Sequence, residues 1–168
     1  GLMALKKGTA HCAGCHLYDP ETQDYNFPFL QRYVPDLDLV VINLAIRHQG
    51  FIVARDNPKA VDSIQDLKRQ DVRFINRQRG AGTRILLDDH LKRAGIQPEE
   101  ISGYDQEEFT HMAVAVNVQS GAVDCGMGIF AAAKALNLGF VPLAKERYDL
   151  ILPRQHLADP KIKSVLDM

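Results

Sequence analysis

Strand-like and helix-like segments alternate along this chain, and no other feature constrains its fold as strongly. Val72 to Asn76 is a short apolar run typical of a buried strand, and after a glycine-containing turn the apolar residues recur at helical spacing until Gly95. A second such unit follows Tyr104, with a helix predicted over Thr110 to Ser120 and a buried strand over Val123 to Gly128. Strands that alternate with helices predict an α/β fold with largely parallel sheets.

The remaining segments extend the same pattern. Further helices are predicted over Leu2 to Lys7, Phe27 to Tyr33, Ser63 to Leu67, Ile129 to Leu138 and Pro160 to Met168. Further strands are predicted over Thr9 to Leu17, Leu37 to Ile46, Gly50 to Ala54, Phe140 to Leu143 and Tyr148 to Leu152. Asp19 to Asn26 is predicted to be a polar loop, because it is rich in polar residues and contains Pro20.

Charge and hydropathy exclude several classes of function. The chain has 168 residues, and its 20 Lys and Arg against 21 Asp and Glu give a formal net charge of −1. Because no basic excess exists, bulk charge does not predict contact with nucleic acid or a membrane surface. The longest apolar stretch, Leu37 to Ile46, is interrupted by Asp38 and Asn43 and is far shorter than the ~20 residues of a membrane span. We therefore expect a soluble protein that contacts neither nucleic acid nor a membrane.

The three cysteines, Cys12, Cys15 and Cys125, are an odd number, which favours a reducing compartment and predicts a cytoplasmic protein. Cys12, Cys15 and His16 form the Cys-x-x-Cys-His pattern of c-type haem attachment, which also resembles a redox or metal pair. A strand over this segment would turn the two thiols to opposite faces, and no second Cys or His pair lies near them for zinc. We expect these cysteines to be buried in the core and to bind no cofactor and no metal. The alternative is an electron-transfer protein that uses Cys12 and Cys15.

The turn from Arg79 to Arg84 carries the most informative chemistry. Gly80 and Gly82 let the backbone approach a ligand closely, and Thr83 is predicted to cap the following helix. The free N–H groups of a first helical turn favour an anion, and the guanidinium groups of Arg79 and Arg84 suit oxyanions. The turn lacks the lysine of a phosphate-binding P-loop and is not the dinucleotide fingerprint. The alternative is a plain helix cap beside solvated arginines.

Other polar residues give weaker signals. Thr110 is predicted to cap a helix, and His111 lies either in a cleft or in solvent. Tyr148 could donate its hydroxyl to an anion or belong to the core. The sequence has no Ser-His-Asp order and no paired carboxylates that would assign catalysis.

Together these residues resemble a known family. The segments that carry the resemblance are Gly1 to Leu5, Ala10-His11, Ala13 to Leu17, Phe74 to Arg77, Gly80 to Arg84, Tyr104, Thr110-His111, Gly121 to Asp124, Gly126 and Gly128. They look like the periplasmic-binding-protein-like (type II) domain of molybdopterin-biosynthesis proteins and of some helix-turn-helix regulators. Molybdate and tungstate binding proteins are similar more distantly, and the resemblance covers nearly the whole chain.

The resemblance implies an architecture of two α/β lobes joined by two crossing strands, with a ligand held in the cleft. Lobe one would comprise residues 1–55 and 139–168, and lobe two residues 56–138. The crossing strands would be Gly50 to Arg55 and Val141 to Leu152. Domains of the family begin with a further strand and helix, so we expect this chain to be truncated at its N-terminus.

The resemblance also implies a function. We expect a sensor or carrier domain that closes on a small oxyanion or on a molybdopterin-related anion. Molybdate and tungstate are the oxyanions that the resemblance favours. Its partner domain would be a fused DNA-binding or molybdopterin-biosynthesis domain. The alternative is an enzyme or accessory module of molybdopterin biosynthesis, for which only His11 and His111 are candidate bases. The ligand-binding residues expected on this basis are Arg79, Gly80, Gly82, Thr83, Arg84, His11, Gly14, Thr110, His111 and Tyr148.

Overall fold

The computed structural model describes residues 1–167, which form two compact units. Unit 1 comprises Gly1–Ile46 and the chain from Glu146 onward, and unit 2 comprises Arg47–Lys145. Unit 1 is therefore built from two separate stretches of sequence, whereas unit 2 is one continuous stretch. The lobe limits expected from the sequence, 1–55 with 139–168 and 56–138, stay a prediction.

Helices and strands alternate through the described residues. The helices are α1 (Leu2–Lys6), α2 (Phe27–Tyr33), α3 (Gly82–Ala94), α4 (His111–Gln119), α5 (Phe130–Ala135) and α6 (Pro160–Leu166). The strands are β1 (Ala13–Cys15), β2 (Tyr18–Asp19), β3 (Asp24–Tyr25), β4 (Leu39–Val53), β5 (Phe74–Arg77), β6 (Glu107–Glu108), β7 (Cys125–Ile129) and β8 (Gly139–Pro153). Short 3-10 helices cover Ile64–Lys68, Pro98–Glu100 and Arg154–His156. Within residues 1–167, no helix is long and apolar enough to cross a membrane.

Unit 1 is organised around the antiparallel pairing of β1 with the end of β8, in which Ala13 lies opposite Ile151. β2 and β3 form a separate two-stranded hairpin. Side chains from α1, β1, α2 and β8 bury one another in a small apolar core, which excludes water from their contact. The core consists of Leu2, Leu5, Ala13, Cys15, Leu30, Val34 and Ile151.

Unit 2 contains a sheet in which β4 pairs antiparallel with β7, β7 pairs parallel with β5, and β5 pairs parallel with β6. Helix α4 packs closely on β7, and Gly126 makes that approach possible. A Cβ atom at Gly126 would lie 2.6 Å from a methyl of Val114 and 2.7 Å from a methyl of Ile75. The apolar core on this face therefore depends on a residue without a side chain.

Several predicted elements are confirmed. Helix α2 occupies the predicted residues Phe27–Tyr33, and α3 ends where Gly95 adopts a left-handed conformation with φ +68°. The Thr110 hydroxyl caps α4 as predicted, because its Oγ1 accepts a hydrogen bond from the Ala113 N–H at 3.0 Å.

Other predictions are wrong in the length of the strands. The two strands predicted over Leu37 to Ile46 and Gly50 to Ala54 are one continuous strand, β4. The polar residues between them end the apolar pattern but not the strand, because strand pairing uses the backbone. The strands predicted over Phe140 to Leu143 and Tyr148 to Leu152 are likewise one strand, β8.

The predictions near the N-terminus need two further corrections. The strand predicted over Thr9 to Leu17 covers only Ala13–Cys15, and the predicted loop Asp19 to Asn26 contains most of the β2–β3 hairpin. Tyr18 lies opposite Tyr25 in that hairpin, so two tyrosines hold together a stretch that is otherwise polar. Met168, in the predicted last helix, lies outside the described residues.

Candidate functional site

The first candidate site lies in unit 2, where β5 and β6 end side by side. Asn76 is opposite Glu107 and Arg77 is opposite Glu108 in this parallel pair. After β5 the chain turns into α3, and after β6 it turns into α4, so two helices begin at the same edge. We call Arg77, the start of α3 at Gly82 and the segment Glu108–His111 the carboxyl edge of unit 2. Ligands of open α/β sheets bind at edges of this kind.

Arg77 is the centre of the carboxyl edge. Its side chain is buried, and its Nε donates to the Glu108 carbonyl at 3.1 Å while Nη2 donates to the Phe109 carbonyl at 2.8 Å. Nη1 lies 3.0 Å from Nδ1 of His111. Burial lowers the pKa of this guanidinium. Among residues 1–167, the hydrogen-bond partners found for Arg77 are neutral groups, so its positive charge has no carboxylate to balance it.

The contact with Arg77 fixes the tautomer of His111. A guanidinium nitrogen can only donate, so Nδ1 of His111 is the acceptor and its ring proton is on Nε2. Each terminal nitrogen of Arg77 carries two N–H groups and uses one of them in these contacts. The edge is thus rich in hydrogen-bond donors.

The start of α3 adds backbone donors. The prediction that Thr83 caps this helix is wrong, because the N-cap is Ala81, which makes no side-chain cap hydrogen bond. Thr83 lies inside the first turn and is buried, and Gly82 is the first helical residue. Without a capping side chain, the first N–H groups of the helix depend on water or a ligand.

Arg79 and Arg84 do not join Arg77 in this arrangement. The side chain of Arg79 is 80% exposed, and its ion pairs with the described residues are long, at 3.8 Å to Asp105 and 3.7 Å to Glu107. Arg84 is buried with its Nη1 at 3.2 Å from Glu107 and its guanidinium over the ring of Tyr104 at 4.1 Å. Its charge is therefore already balanced inside the protein.

A separate depression of about 490 Å³ lies beside Arg79, Gly80 and Arg84 in unit 2. Three carboxylates share its lining with the two arginines. The acidic residues are Asp88, Glu99 and Asp105. Because these carboxylates repel anions, the depression is a poorer anion site than the carboxyl edge.

The second candidate site lies in unit 1 around Gly14 and Tyr148. Gly14 is so close to the tyrosine that a Cβ atom there would lie 2.6 Å from Oη. The ring of Tyr148 stacks on His16 with centroids 5.5 Å apart, and Nδ1 of His16 lies 2.7 Å from Oε1 of the buried Glu146. The structure therefore brings together Gly14 and Tyr148, two of the expected ligand-binding residues, and adds His16 and Glu146 to them.

His11 lies apart from this cluster. Its ring meets the ring of His156 edge-on, with centroids 4.6 Å apart. The cysteines of the same segment also separate, because Cys15 belongs to the core around Leu2 whereas Cys12 packs against a different cluster around Leu152. Burial raises the pKa of Cys15. The two thiols thus contribute to two apolar clusters.

Sequence reasoning missed Arg77, His16 and Glu146 as site residues. Arg77 directly follows the predicted strand Val72 to Asn76 and is the last residue of the observed strand β5. An arginine between a strand and the start of a helix places a cation beside the anion-attracting end of that helix, and this position was the available signal. Glu146 gives no signal, because its contact with His16 joins residues 130 positions apart along the chain.

A relative matches most of the chain. It is 37% identical over 155 residues to "Uncharacterized protein YvgK" of Bacillus subtilis (strain 168), a match that covers 92% of this chain and 50% of the relative. The chain thus spans about half the length of that protein.

Solved structures share its fold. The Synechocystis PCC6803 CcmR regulatory domain in complex with 2-PG matches with a TM-score of 0.64 and 16% identity, over 98% of this chain and 74% of that one. An ABC-type phosphate transport receptor from Vibrio cholerae matches with a TM-score of 0.57 and 16% identity, over 99% of this chain and 76% of that one. These likenesses confirm the predicted periplasmic-binding-protein-like α/β fold. A model of the PBP superfamily domain matches residues 1–168, and the chain therefore belongs to the PBP (periplasmic-binding-protein) superfamily.

Proposed function

We propose that this chain is a ligand-binding domain, a sensor or a carrier, that takes a small oxyanion at the carboxyl edge of unit 2. The observation that carries the proposal is the buried Arg77, whose partners among the described residues are neutral. A buried charge with no opposite charge beside it is costly, and a bound anion would remove that cost. The N–H groups at the start of α3 would then complete the set of donors.

Two structural neighbours support binding of a small anion. One was solved in complex with 2-PG, and the other is named as a phosphate transport receptor. The first is the regulatory domain of a larger protein, and the Bacillus relative is about twice as long as the matched region. We propose accordingly that the domain acts beside a fused DNA-binding or molybdopterin-biosynthesis domain.

Molybdate or tungstate, or a molybdopterin-related anion, is the ligand that we propose, with a role in molybdenum cofactor biosynthesis or its regulation. Such oxyanions carry only acceptor oxygens when fully ionised. The groups gathered at the carboxyl edge are mainly donors, so an acceptor-only ligand would leave few of them unpaired. The resemblance of the sequence to molybdopterin-biosynthesis proteins supplies the choice among oxyanions.

The alternative, an enzyme or accessory module of the same pathway, requires a base. His111 is poorly suited to that role, because a proton on Nδ1 would face the guanidinium of Arg77 at 3.0 Å. The geometry thus favours binding over proton transfer.

A pair of arginine variants tests the proposal. Arg77→Gln should weaken binding of molybdate, tungstate or inorganic phosphate by about ten- to 150-fold, since a charge-assisted hydrogen bond contributes ~1.5–3 kcal/mol. Arg79→Gln, the same change of charge on an exposed side chain, should leave the affinity within about twofold. Calorimetric titration of each anion into the parent and both variants measures these values.

Arg77→Lys keeps the charge but loses the planar fork, and it should bind with intermediate affinity. Thermal unfolding of each variant without ligand shows that the fold is intact. The proposal is wrong if none of the anions binds the parent, or if Arg79→Gln loses binding while Arg77→Gln keeps it.

A further inference from the structure

Within residues 47–145, two phenylalanine side chains are exposed, and both directly follow strands of the unit 2 sheet. Phe109 is 73% exposed and follows β6, and Phe130 is 48% exposed and follows β7. Phe51 and Phe74, by contrast, lie within β4 and β5 and are fully buried. A single exposed apolar ring is common, whereas exposed rings that lie together mark a binding surface.

The topology of the sheet places Phe109 and Phe130 on either side of Arg77. β5 pairs in parallel with β7 on one side and with β6 on the other, so all three strands end at the same edge. Arg77 is the last residue of β5. Because neighbouring strands lie about 4.8 Å apart, the ends of β7 and β6 are roughly 10 Å apart, with the end of β5 between them.

Contacts of Arg77 and His111 agree with this placement. The Phe109 carbonyl accepts a hydrogen bond from Nη2 of Arg77 at 2.8 Å, so Phe109 is attached directly to the buried cation. Nδ1 of His111 lies 3.0 Å from Nη1 of Arg77. The same nitrogen would lie 3.6 Å from a Cβ atom at Gly128, which is two residues before Phe130. Both phenylalanines therefore flank the place where Arg77 and His111 meet.

Packing within unit 2 does not account for the exposure of the two rings. Phe109 precedes the N-cap of α4, where an apolar side chain often packs on the residue five positions later, here Val114. Val114 is fully buried, yet most of the Phe109 side chain remains accessible, so such packing uses little of the ring. Phe130 meets the ring of Phe140 edge-on, with centroids 5.4 Å apart, and about half of its surface is still accessible.

We propose that the ligand of the carboxyl edge is an anion that carries a flat, unsaturated ring, as in an aryl phosphate or an aryl carboxylate. The inference rests on the proposed function, because the anionic group is the part that Arg77 would bind. The ring would pack against Phe109 and Phe130, which removes apolar surface of the protein and the ligand from water. Among the ligands proposed above, an organic anion is therefore favoured over bare molybdate or tungstate.

Phenyl phosphate and methyl phosphate test the proposal, because they carry the same anionic group and only one of them has a ring. The parent should bind phenyl phosphate roughly five- to 50-fold more tightly, as expected when one ring is buried against aromatic side chains. Phe109→Ala should reduce this ratio to within about threefold, and Phe109→Tyr, which keeps a flat ring, should retain it. Calorimetric titration measures each affinity.

Two further variants complete that comparison. Phe130→Leu keeps an apolar side chain against Phe140 but loses the flat ring, so it should lower the ratio as well. Val116→Ala is the control, because it shortens a side chain that is 50% exposed further along α4, and it should leave the ratio unchanged. Thermal unfolding without ligand checks that each variant is folded.

The location of the bound ring is read from fluorescence, since the chain contains no tryptophan. Phe109→Trp keeps a flat ring next to Arg77, and its emission should change as phenyl phosphate binds. Val116→Trp carries the same reporter away from the edge, and its emission should stay constant. A change in Val116→Trp with none in Phe109→Trp would place the ring elsewhere and contradict the proposal.

Equal affinities of the parent for phenyl and methyl phosphate would overturn this inference and leave the proposed anion site standing. If the parent binds neither ester and no inorganic phosphate, both proposals are wrong. Sedimentation of the parent and of Phe109→Ala examines the other use of exposed rings. Dimers of the parent that Phe109→Ala dissociates would assign the rings to a contact between two copies of the chain, and would also overturn the inference.

Discussion

At the scale of single residues, the close contact of Gly14 with Tyr148 has a measurable cost when it is disturbed. A methyl group on residue 14 would lie 2.6 Å from Oη of Tyr148, so the ring must move. We expect Gly14→Ala to lower the free energy of unfolding by about 1–3 kcal/mol, the usual range for overpacking. Urea unfolding of the parent and the variant measures the change.

Tyr148→Phe provides the matched background for that measurement. Without the hydroxyl, the nearest ring atom to the added methyl is Cζ at 3.2 Å, which needs a smaller movement. The cost of Gly14→Ala should therefore fall by at least about 1 kcal/mol in the double variant. An equal cost in both backgrounds would show that the hydroxyl is not the obstacle.

Single residues also show why the candidate site in unit 2 was only partly predictable from the sequence. The sequence places Arg77, Arg79 and Arg84 around one glycine turn and makes an anion site there a reasonable expectation. The sequence does not show which of the three arginines is buried without a carboxylate beside it. That depends on contacts with residues that come later in the chain. Arg84 is balanced by Glu107 and Arg77 meets His111, which are 23 and 34 positions away.

At the scale of secondary structure, the cap of α4 carries the next prediction. Thr110 accepts a hydrogen bond from Ala113 N–H at 3.0 Å, and Thr110→Ala should destabilise the protein by about 1 kcal/mol. Thr110→Ser keeps the acceptor oxygen and should cost only a few tenths of a kcal/mol. Denaturant unfolding of both variants measures these two losses of stability. Equal losses in Thr110→Ala and Thr110→Ser would contradict a capping role.

Secondary structure also shows what apolar patterns can predict. The pattern identified the short helices well, since α2 and α4 end at the predicted residues to within one position. It divided β4 and β8 into pieces, because in both strands the middle residues are largely exposed or half-buried and therefore free to be polar. Hydrogen bonding of the backbone continues through such residues whatever their side chains.

At the scale of the whole molecule, one buried thiol predicts how stability depends on pH. Burial raises the pKa of Cys125 to about 12 from an ordinary value of 9.0. Between these values the folded protein holds one proton more than the unfolded chain. The free energy of unfolding should therefore fall as the pH rises above about 9, by ~1.4 kcal/mol per pH unit from this group.

Cys125→Ala isolates that contribution. Lysines and tyrosines titrate in the same range in both proteins, so the difference between parent and variant reports the thiol alone. We expect unfolding in urea at pH 8.5, 9.5 and 10.5 to show a shallower decline in the variant. Parallel declines would mean that the thiol ionises in the folded protein as readily as in the unfolded chain.

The division of unit 1 into two stretches of sequence has a consequence for how the protein is made. When Gly1–Ile46 has emerged from the ribosome, the residues that complete unit 1 have not yet been synthesised, because they begin at Glu146. Asn26, for example, donates to Asp149, and Ala13 pairs with Ile151. Unit 2 is continuous and emerges whole in the meantime. During translation, therefore, unit 2 has time to fold before the residues that complete unit 1 are synthesised.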